Sequence, residues 1–400
     1  MKAQALKYVS WGDTTGYAVA GKSYIRALID AGVDVTWTPM LTKRGDYEVY
    51  EGTDWPCAHL APVCNRELEY DTILIHTVPE YYPDWIDRER VLSKRIYGYT
   101  AWELERLPDH WPAILNRLDG VLVPCEWNRE VFNRSGVTVP IHVVPHLSQF
   151  VGASPVSDAD RATIRQHLSS IDDHADRFVF YNVAYWSHRK APYLALQAYW
   201  RAFGPNDRTL MILKTTAKDI TRFHRHWRNG FRLRHPLAKE SVRELRMQMP
   251  DRAPVVVIAD ESLSDQEMMA LHERGDCFVS LTRTEGWGLG AFEAARTGKP
   301  VIMTGYGGQL DFLDPALSCL VDYEMVPVYE PTCYEPTWAA NYRPADQWAQ
   351  PSVNHASKLM REVFDDAVSA RARAIQQAQN IQTRFSQEKV VSALIKALEL

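Results

Sequence analysis

SLTRTEGWGLGAFEAARTGKP, running from Ser280 to Pro300, sets Glu285 and Glu293 around three glycines, Gly286, Gly288 and Gly290, with seven residues between the two acids. The apolar run Cys277–Leu281 reads as a buried strand and a helix is predicted from near Leu289, so the glycines fall on a strand-to-helix turn. A helix start offers unpaired N–H groups and a partial positive charge, and glycines let that backbone come close to an anion. A carboxylate only accepts hydrogen bonds, so paired hydroxyls such as a sugar diol suit it. A phosphate seat between two diol-reading carboxylates matches a nucleoside diphosphate joined to a sugar, one glutamate taking the hexose and the other the ribose. A lone acid early in a helix would merely stabilise the helix dipole. The combination is far more specific.

Outward from this turn the chain alternates strand and helix. Short apolar strands are predicted at 5–10, 33–37, 72–76, 96–100, 120–124 and 141–145, with a helix at 17–31 ended by Gly32. A second series places strands at 177–183, 209–215, 253–259, 277–281 and 301–304, with helices at 191–203 and 265–274. Such alternation implies an α/β chain with mostly parallel sheets covered on both faces. The polar stretch after Ser148 divides the two series. The expected domains are 1–150, a linker 151–176, a second domain 177–385 and a closing helix 386–400 that returns to the first. Segment 323–353, rich in Pro, Tyr and Trp, reads as an irregular excursion, and 356–400 as helical. Ligands of doubly wound sheets bind beyond the carboxyl ends of the strands, so the loops there, and a cleft between two such domains, are where chemistry is expected.

Composition narrows the class. In 400 residues, 46% are hydrophobic and 24% charged, enough for sizeable cores in two or three domains. A formal net charge of −5 argues against a protein dedicated to coating nucleic acid. The six cysteines are scattered without a C-x-x-C pair, so neither a zinc site nor a disulfide framework is indicated. No apolar secretion signal opens the chain, and a cytoplasmic setting is the expectation.

The residues Glu285-Gly-Trp-Gly-Leu-Gly-Ala-Phe-Glu293, with Ala294-Ala295 and Gly298-Lys-Pro-Val-Ile302 behind them, resemble the signature of the retaining GT-B glycosyltransferases of family four. Gly305-Tyr-Gly-Gly308 resembles that family's glycine-rich loop beside the donor sugar, and Trp348-Ala-Gln-Pro351 is similar to a W-A-E-P element of some relatives. Tyr99-Thr-Ala-Trp-Glu103, Val123-Pro-Cys-Glu-Trp-Asn128, Ser135-Gly-Val137 and Val143-Val-Pro-His146 look like its N-terminal half. The resemblance implies two Rossmann-like domains facing each other across a cleft. It implies that Glu285 binds the donor sugar and Glu293 the ribose, with Gly286, Gly288, Leu289, Gly290, Gly307 and Gly308 around the donor. It further implies transfer with retention, by front-face attack in an ion-pair-like transition state, with no protein nucleophile and no metal.

Other residues join this set. Arg189 and Lys190 follow the strand 177–183, where cations neutralise a diphosphate as it departs. The family often has an arginine a few residues earlier. This chain has Ala184 there, and Arg189 or Lys214 is expected to substitute. Gly12-Asp-Thr-Thr-Gly16 is not a dinucleotide fingerprint. It resembles the family's N-terminal glycine loop, which puts Gly16 near the diphosphate. His76 and Glu103, both at strand ends, are candidates for catalysis and for contact with the acceptor. Asp158-Ala-Asp160 formally matches a D-x-D metal pattern but lies in the polar linker, and no metal site is assigned.

The acceptor is expected to be a glycan or a lipid-linked hydroxyl. From Lys214 to Arg246, ten Lys and Arg face three acids, with Phe223, Trp227 and Phe231 interleaved. A solvated basic face explains this. So would an anionic membrane surface, an acidic glycan or nucleic acid. A glycosyltransferase acting on hydroxylated DNA bases, an epimerase or hydrolase on the same fold, and a non-catalytic binding module are the competing readings.

Overall fold

A computed structural model describes residues 5–43, 46–55, 59–150, 154–222, 224–225, 233–249, 251–259, 262–328, 341–343 and 345–400. The chain divides into two compact units. Unit 1 comprises Met1–Val151, Glu335–Arg343 and Thr383–Leu400. Unit 2 comprises Gly152–Tyr334 and Pro344–Gln382.

Unit 1 is built on a seven-stranded sheet of β1 (Ala5–Trp11), β2 (Asp34–Lys43), β3 (Asp46–Val49), β4 (Thr72–His76), β5 (Arg95–Tyr99), β6 (Gly120–Val123) and β7 (Ile141–Val143). The order is β3-β2-β1-β4-β5-β6-β7, parallel except for the β2–β3 hairpin. The apolar strands are buried from both faces, as parallel strands require. The chain starts at β1 and winds first toward β2, then returns to β4 on the other side. Loops after β1 and β4 therefore diverge and leave a crevice at the switch between them. The last helix, Gln387–Ala397, lays Val390, Val391, Leu394 and Ala397 into this unit's core beside Tyr24 and Leu28 of the helix Gly16–Asp30.

Unit 2 repeats the plan with β8 (Phe178–Val183) and β9 (Thr209–Lys214), then a two-residue ladder of β10 (His224–Arg225) and β11 (Leu233–Arg234). β12 (Val255–Ile258), β13 (Cys277–Ser280), β14 (Val301–Thr304) and β15 (Cys319–Val321) follow. The main sheet runs β12-β9-β8-β13-β14-β15, all parallel, and its switch lies between β8 and β13. The helix Pro192–Ala202 fills the core with Leu196, Tyr199 and Trp200, all fully buried.

The structure adds detail to three sequence expectations. The stretch 151–176 contains a helix, Asp158–Leu168, packed on the helix Asp265–Arg274 of unit 2. Its Asp-Ala-Asp pattern is a helix start: Ser157 caps it, and Asp160 accepts from the Ser157 N–H at 2.8 Å. The excursion 323–353 contains an antiparallel pair, β16 (Tyr323–Pro327) with β17 (Gln347–Pro351). The helical tail is three helices, Val353–Asp365, Ala367–Arg384 and Gln387–Ala397, the last capped by Ser386.

Candidate active site

In unit 2 the two loops at the switch point meet. The turn after β8 delivers Arg189 and Lys190, and the loop after β13 delivers Glu285. Lys190 Nζ lies 2.5 and 2.6 Å from the two Glu285 carboxylate oxygens, and Arg189 approaches one of them at 3.5 Å. Arg189 also donates to the Thr284 carbonyl at 3.2 Å. Backbone contacts hold the loops in this register. The Arg283 N–H donates to the Arg189 carbonyl at 2.8 Å, and Thr282 Oγ1 donates to the same oxygen at 3.2 Å. Lys190 is seated by its N–H to Ser187 Oγ at 3.2 Å. Glu285 is 7% exposed. Burial pushes its pKa up, but Lys190 first and Arg189 next outweigh burial, and the carboxyl is held below its ordinary value of 4.5. The site thus holds a buried anion already ionised and a cation pair beside it.

The helix Leu289–Arg296 begins at the residue expected, with Gly288 before it at φ +95°. This left-handed backbone is one that L side chains avoid. Gly290 and Leu289 lie in its first turn, where amides have no intrahelical acceptor. Gly286 is buried. Glu293 is on the same helix, 1% exposed, with Arg296 Nε at 4.0 Å. The glycine loop behind β14 is pinned to the same place: the Gly308 N–H donates to the Glu285 carbonyl at 2.8 Å. Gly307 has φ +104°, and a Cβ there would stand 2.8 Å from that carbonyl oxygen. Lys214 ends β9, half-buried, and its carbonyl accepts from the Ala184 N–H at 3.1 Å at the end of β8.

Unit 1 has its own switch point, between β1 and β4. Gly16 opens the helix after β1, capped by Thr15. Asp13 organises the preceding loop: it accepts from the Thr15 N–H at 2.9 Å, from Thr15 Oγ1 at 2.7 Å and from the Tyr47 hydroxyl. His76 ends β4 and is fully buried, enclosed by the rings of Tyr8, Tyr17, Tyr24 and Tyr99. Its Nδ1 is 2.6 Å from the Tyr8 hydroxyl. Burial, then the nearby His146, hold His76 well below the ordinary histidine range. Its strand-end position therefore leaves it inside the packing, not on the surface. Glu103 is half-buried near Tyr17, whose hydroxyl pKa is raised by burial and next by that carboxylate.

The basic stretch is only partly described. Arg222 pairs with Asp219 at 3.2 Å and Glu244 at 2.7 Å and donates to Ser241 at 2.6 Å. Phe223, Trp227 and Phe231 lie outside the described residues. Among the described residues no group of His, Cys, Asp and Glu is arranged to hold a metal, and no helix is long and apolar enough to cross a membrane. Sequence reasoning passed over Asp13, Arg283 and Tyr17. Asp13 stood in a loop read for its glycines, and Arg283 stood inside the decisive loop but makes its side-chain contacts with residues 67, 90 and 95 positions away.

No protein-family model matches the chain, and none of the curated proteins matches it in sequence. Solved structures do match. Alr3699/HepE of Anabaena, in a crystal structure with UDP and glucose, aligns over 99% of both chains at 14% identity and a TM-score of 0.63. Sucrose-phosphate synthase from Thermosynechococcus elongatus aligns over 98% of both chains at 15% identity and a TM-score of 0.67. A glycosyltransferase from Rickettsia africae ESF-5 aligns over 100% of this chain and 98% of its own, at 9% identity and a TM-score of 0.70. The fold is GT-B.

Proposed function

We propose that this chain is a glycosyltransferase that moves a hexose from a nucleoside-diphosphate sugar to an acceptor hydroxyl, with retention of the anomeric configuration. The observation that carries the reading is the meeting of Lys190, Arg189 and Glu285 at the β8/β13 switch point, beside a glycine-preceded helix start. A fold shared with a protein crystallised with UDP and glucose adds to it.

In this reading the diphosphate lies against the first amides of the helix Leu289–Arg296, with Gly288, Gly290, Gly307 and Gly308 giving the backbone access. Glu293 accepts from the ribose hydroxyls. Glu285 accepts from the hexose; a carboxylate has about four acceptor sites, so its contacts with Lys190 leave room. As the glycosidic bond breaks, negative charge gathers on the leaving phosphate, and Lys190 and Arg189 stabilise it there. Lys214 adds charge from the neighbouring strand. Glu285 is not the base, since a carboxyl held ionised by two cations is a weak proton acceptor. The leaving phosphate itself takes the acceptor proton, and neither a protein nucleophile nor a metal is called for. Glu103 of unit 1 is proposed to contact the acceptor. The acceptor is a glycan or lipid-linked hydroxyl, and the work is done in the cytoplasm.

The test is a thermal-shift screen against UDP-, GDP- and ADP-sugars, because a bound donor raises stability by mass action. The matching donor should then release nucleoside diphosphate only when acceptor is present, and NMR should show an unchanged anomeric configuration. A changed sugar released without acceptor would instead identify an epimerase. No stabilisation by any sugar nucleotide would defeat the reading.

A further inference from the structure

Arg283 stands two residues before Glu285 and is 8% exposed. Arginine is seldom buried unless paired, because desolvating a charge is costly. Among the described residues no carboxylate lies within 4 Å of it. Its partners are neutral, and they come from two separate segments. Nε donates to Gln350 Oε1 at 2.9 Å. A terminal nitrogen donates to the His188 carbonyl and, at 3.0 Å, to the Tyr193 hydroxyl. The guanidinium sits 5.0 Å from the Trp348 ring centre and 5.8 Å from that of Tyr193. The backbone continues the pattern: the Arg283 N–H reaches the Arg189 carbonyl at 2.8 Å, and its carbonyl accepts from the Ala349 N–H at 3.1 Å.

One side chain thus ties the turn that carries Arg189 and Lys190 to the loop that carries Glu285, and ties both to β17. The planar fork of arginine suits this task, since it makes several bonds in fixed directions at once. Trp348 and Gln350 explain the place of β17: Trp348, 1% exposed, backs the guanidinium, and Gln350 fixes its rotation.

We propose that Arg283 is a positioning residue for sugar transfer, setting the Arg189–Lys190 turn against Glu285 through the strand Gln347–Pro351. This rests on the donor-site reading above for its catalytic consequence, but not for its structural content.

The test compares wild type with Arg283→Ala, Arg283→Lys and Gln350→Ala by hydrogen–deuterium exchange and by steady-state kinetics. In Arg283→Ala, amides of residues 185–190 and 283–286 should exchange at least about tenfold faster while β8 and β9 keep their protection. The rate constant kcat should fall about 10- to 100-fold, as expected when reacting groups are misplaced by about an ångström, with the donor KM changed less than about threefold. Arg283→Lys should recover part of kcat, because the charge returns without the fork. Gln350→Ala should give the same pattern more weakly, and it serves if Arg283→Ala does not fold. Unchanged exchange in the two loops, or an equal rise across all of unit 2, overturns the proposal. So does a loss of kcat with unchanged exchange, which would place Arg283 on the substrate itself. If wild type consumes no sugar nucleotide, the transfer reading falls alone, and the exchange data still decide what Arg283 holds.

Discussion

Lys190 Nζ reaches both carboxylate oxygens of Glu285, at 2.5 and 2.6 Å, across 95 positions of sequence. The contact joins the ends of β8 and β13, the two strands from which the chain winds in opposite directions. Removing Lys190 therefore has two effects. It deletes the cation nearest the proposed leaving phosphate and leaves Arg189 as the sole ion-pair partner of Glu285 among the described residues. Lys190→Ala should lower kcat/KM by about 100- to 1,000-fold, the scale for losing one preorganised charge-stabilising donor. The Glu285 carboxyl should also rise toward its ordinary value. A folded group with a lowered pKa stabilises the protein above its unfolded value, here near 4.5, and that stability is lost as pH falls through the folded pKa. In the variant this pH-dependent contribution should be smaller, because the folded and unfolded values draw together. Carboxylate titration by NMR and initial-rate kinetics check both; a variant with wild-type turnover would remove Lys190 from the mechanism.

Gly307 supplies a steric test. With φ +104° and a virtual Cβ 2.8 Å from the Glu285 carbonyl oxygen and 3.0 Å from Gln309 Oε1, alanine cannot be placed without moving the loop. Strain of about 1–3 kcal/mol is expected for Gly307→Ala, together with a weaker donor complex, because the Gly308 N–H bond to Glu285 shifts with it. Gly305 is the control. A Cβ there meets its nearest atoms at 3.4 and 3.5 Å, so Gly305→Ala should melt and bind close to wild type. Equal behaviour of the two variants in calorimetry would show that the loop is not held as described.

Glu293 is tested through the nucleotide and not the sugar. It is 1% exposed on the helix whose first turn is the proposed phosphate seat. Glu293→Gln keeps the volume but exchanges a charged acceptor for an amide, and a hydrogen bond to a charged group is worth about 1.5–3 kcal/mol. Calorimetric titration should show the free nucleoside diphosphate binding about 10- to 150-fold more weakly. Arg296, 4.0 Å away, would lose its counter-charge, so a melting curve must accompany the titration. Unchanged nucleotide affinity in a folded variant would remove the ribose role.

What was legible in the sequence follows from range. The strand-to-helix turn at Glu285, the helix start at Leu289 and the parallel strands were readable because each rests on a short pattern of apolar residues and glycines. The ion pair was not: it needs two loops far apart in sequence to meet, and only the strand order of the sheet brings them together. β3 and the β16–β17 pair were missed for another reason. β3 is four residues of mixed character and largely exposed, and β16 ends in a proline, so neither carries a clean alternation. Asp158-Ala-Asp160, to which no metal is assigned, is a helix start in which Asp160 completes the capping box with Ser157. His76 was read from its strand end, but four tyrosines supplied by β1, β5 and the helix Gly16–Asp30 close over it, and no local pattern announces that.

Acid sensitivity should come from histidines held neutral by burial. His272 lies in unit 2 with Nδ1 2.9 Å from the Tyr181 hydroxyl, and burial, then Lys299, lower its pKa from 6.5 to about 3. In unit 1 burial lowers His146 to about 3 as well. The unfolded chain binds these protons at pH 6.5 and below, while the folded chain does not until near pH 3. Unfolding therefore takes up protons in that window. The stability these groups contribute is complete above pH 6.5 and is lost progressively as the pH falls toward 3. His272→Gln keeps a side-chain acceptor for Tyr181 but cannot titrate. Its unfolding free energy should be lower than wild type at pH 7, yet it should fall less steeply between pH 6 and 4, by about 1.4 kcal/mol per pH unit for the one proton removed. Urea titrations of both proteins at pH 7, 6, 5 and 4 measure the two slopes. Parallel slopes would mean that His272 is already protonated in the folded protein, and that its burial beside Tyr181 does not exclude the charge.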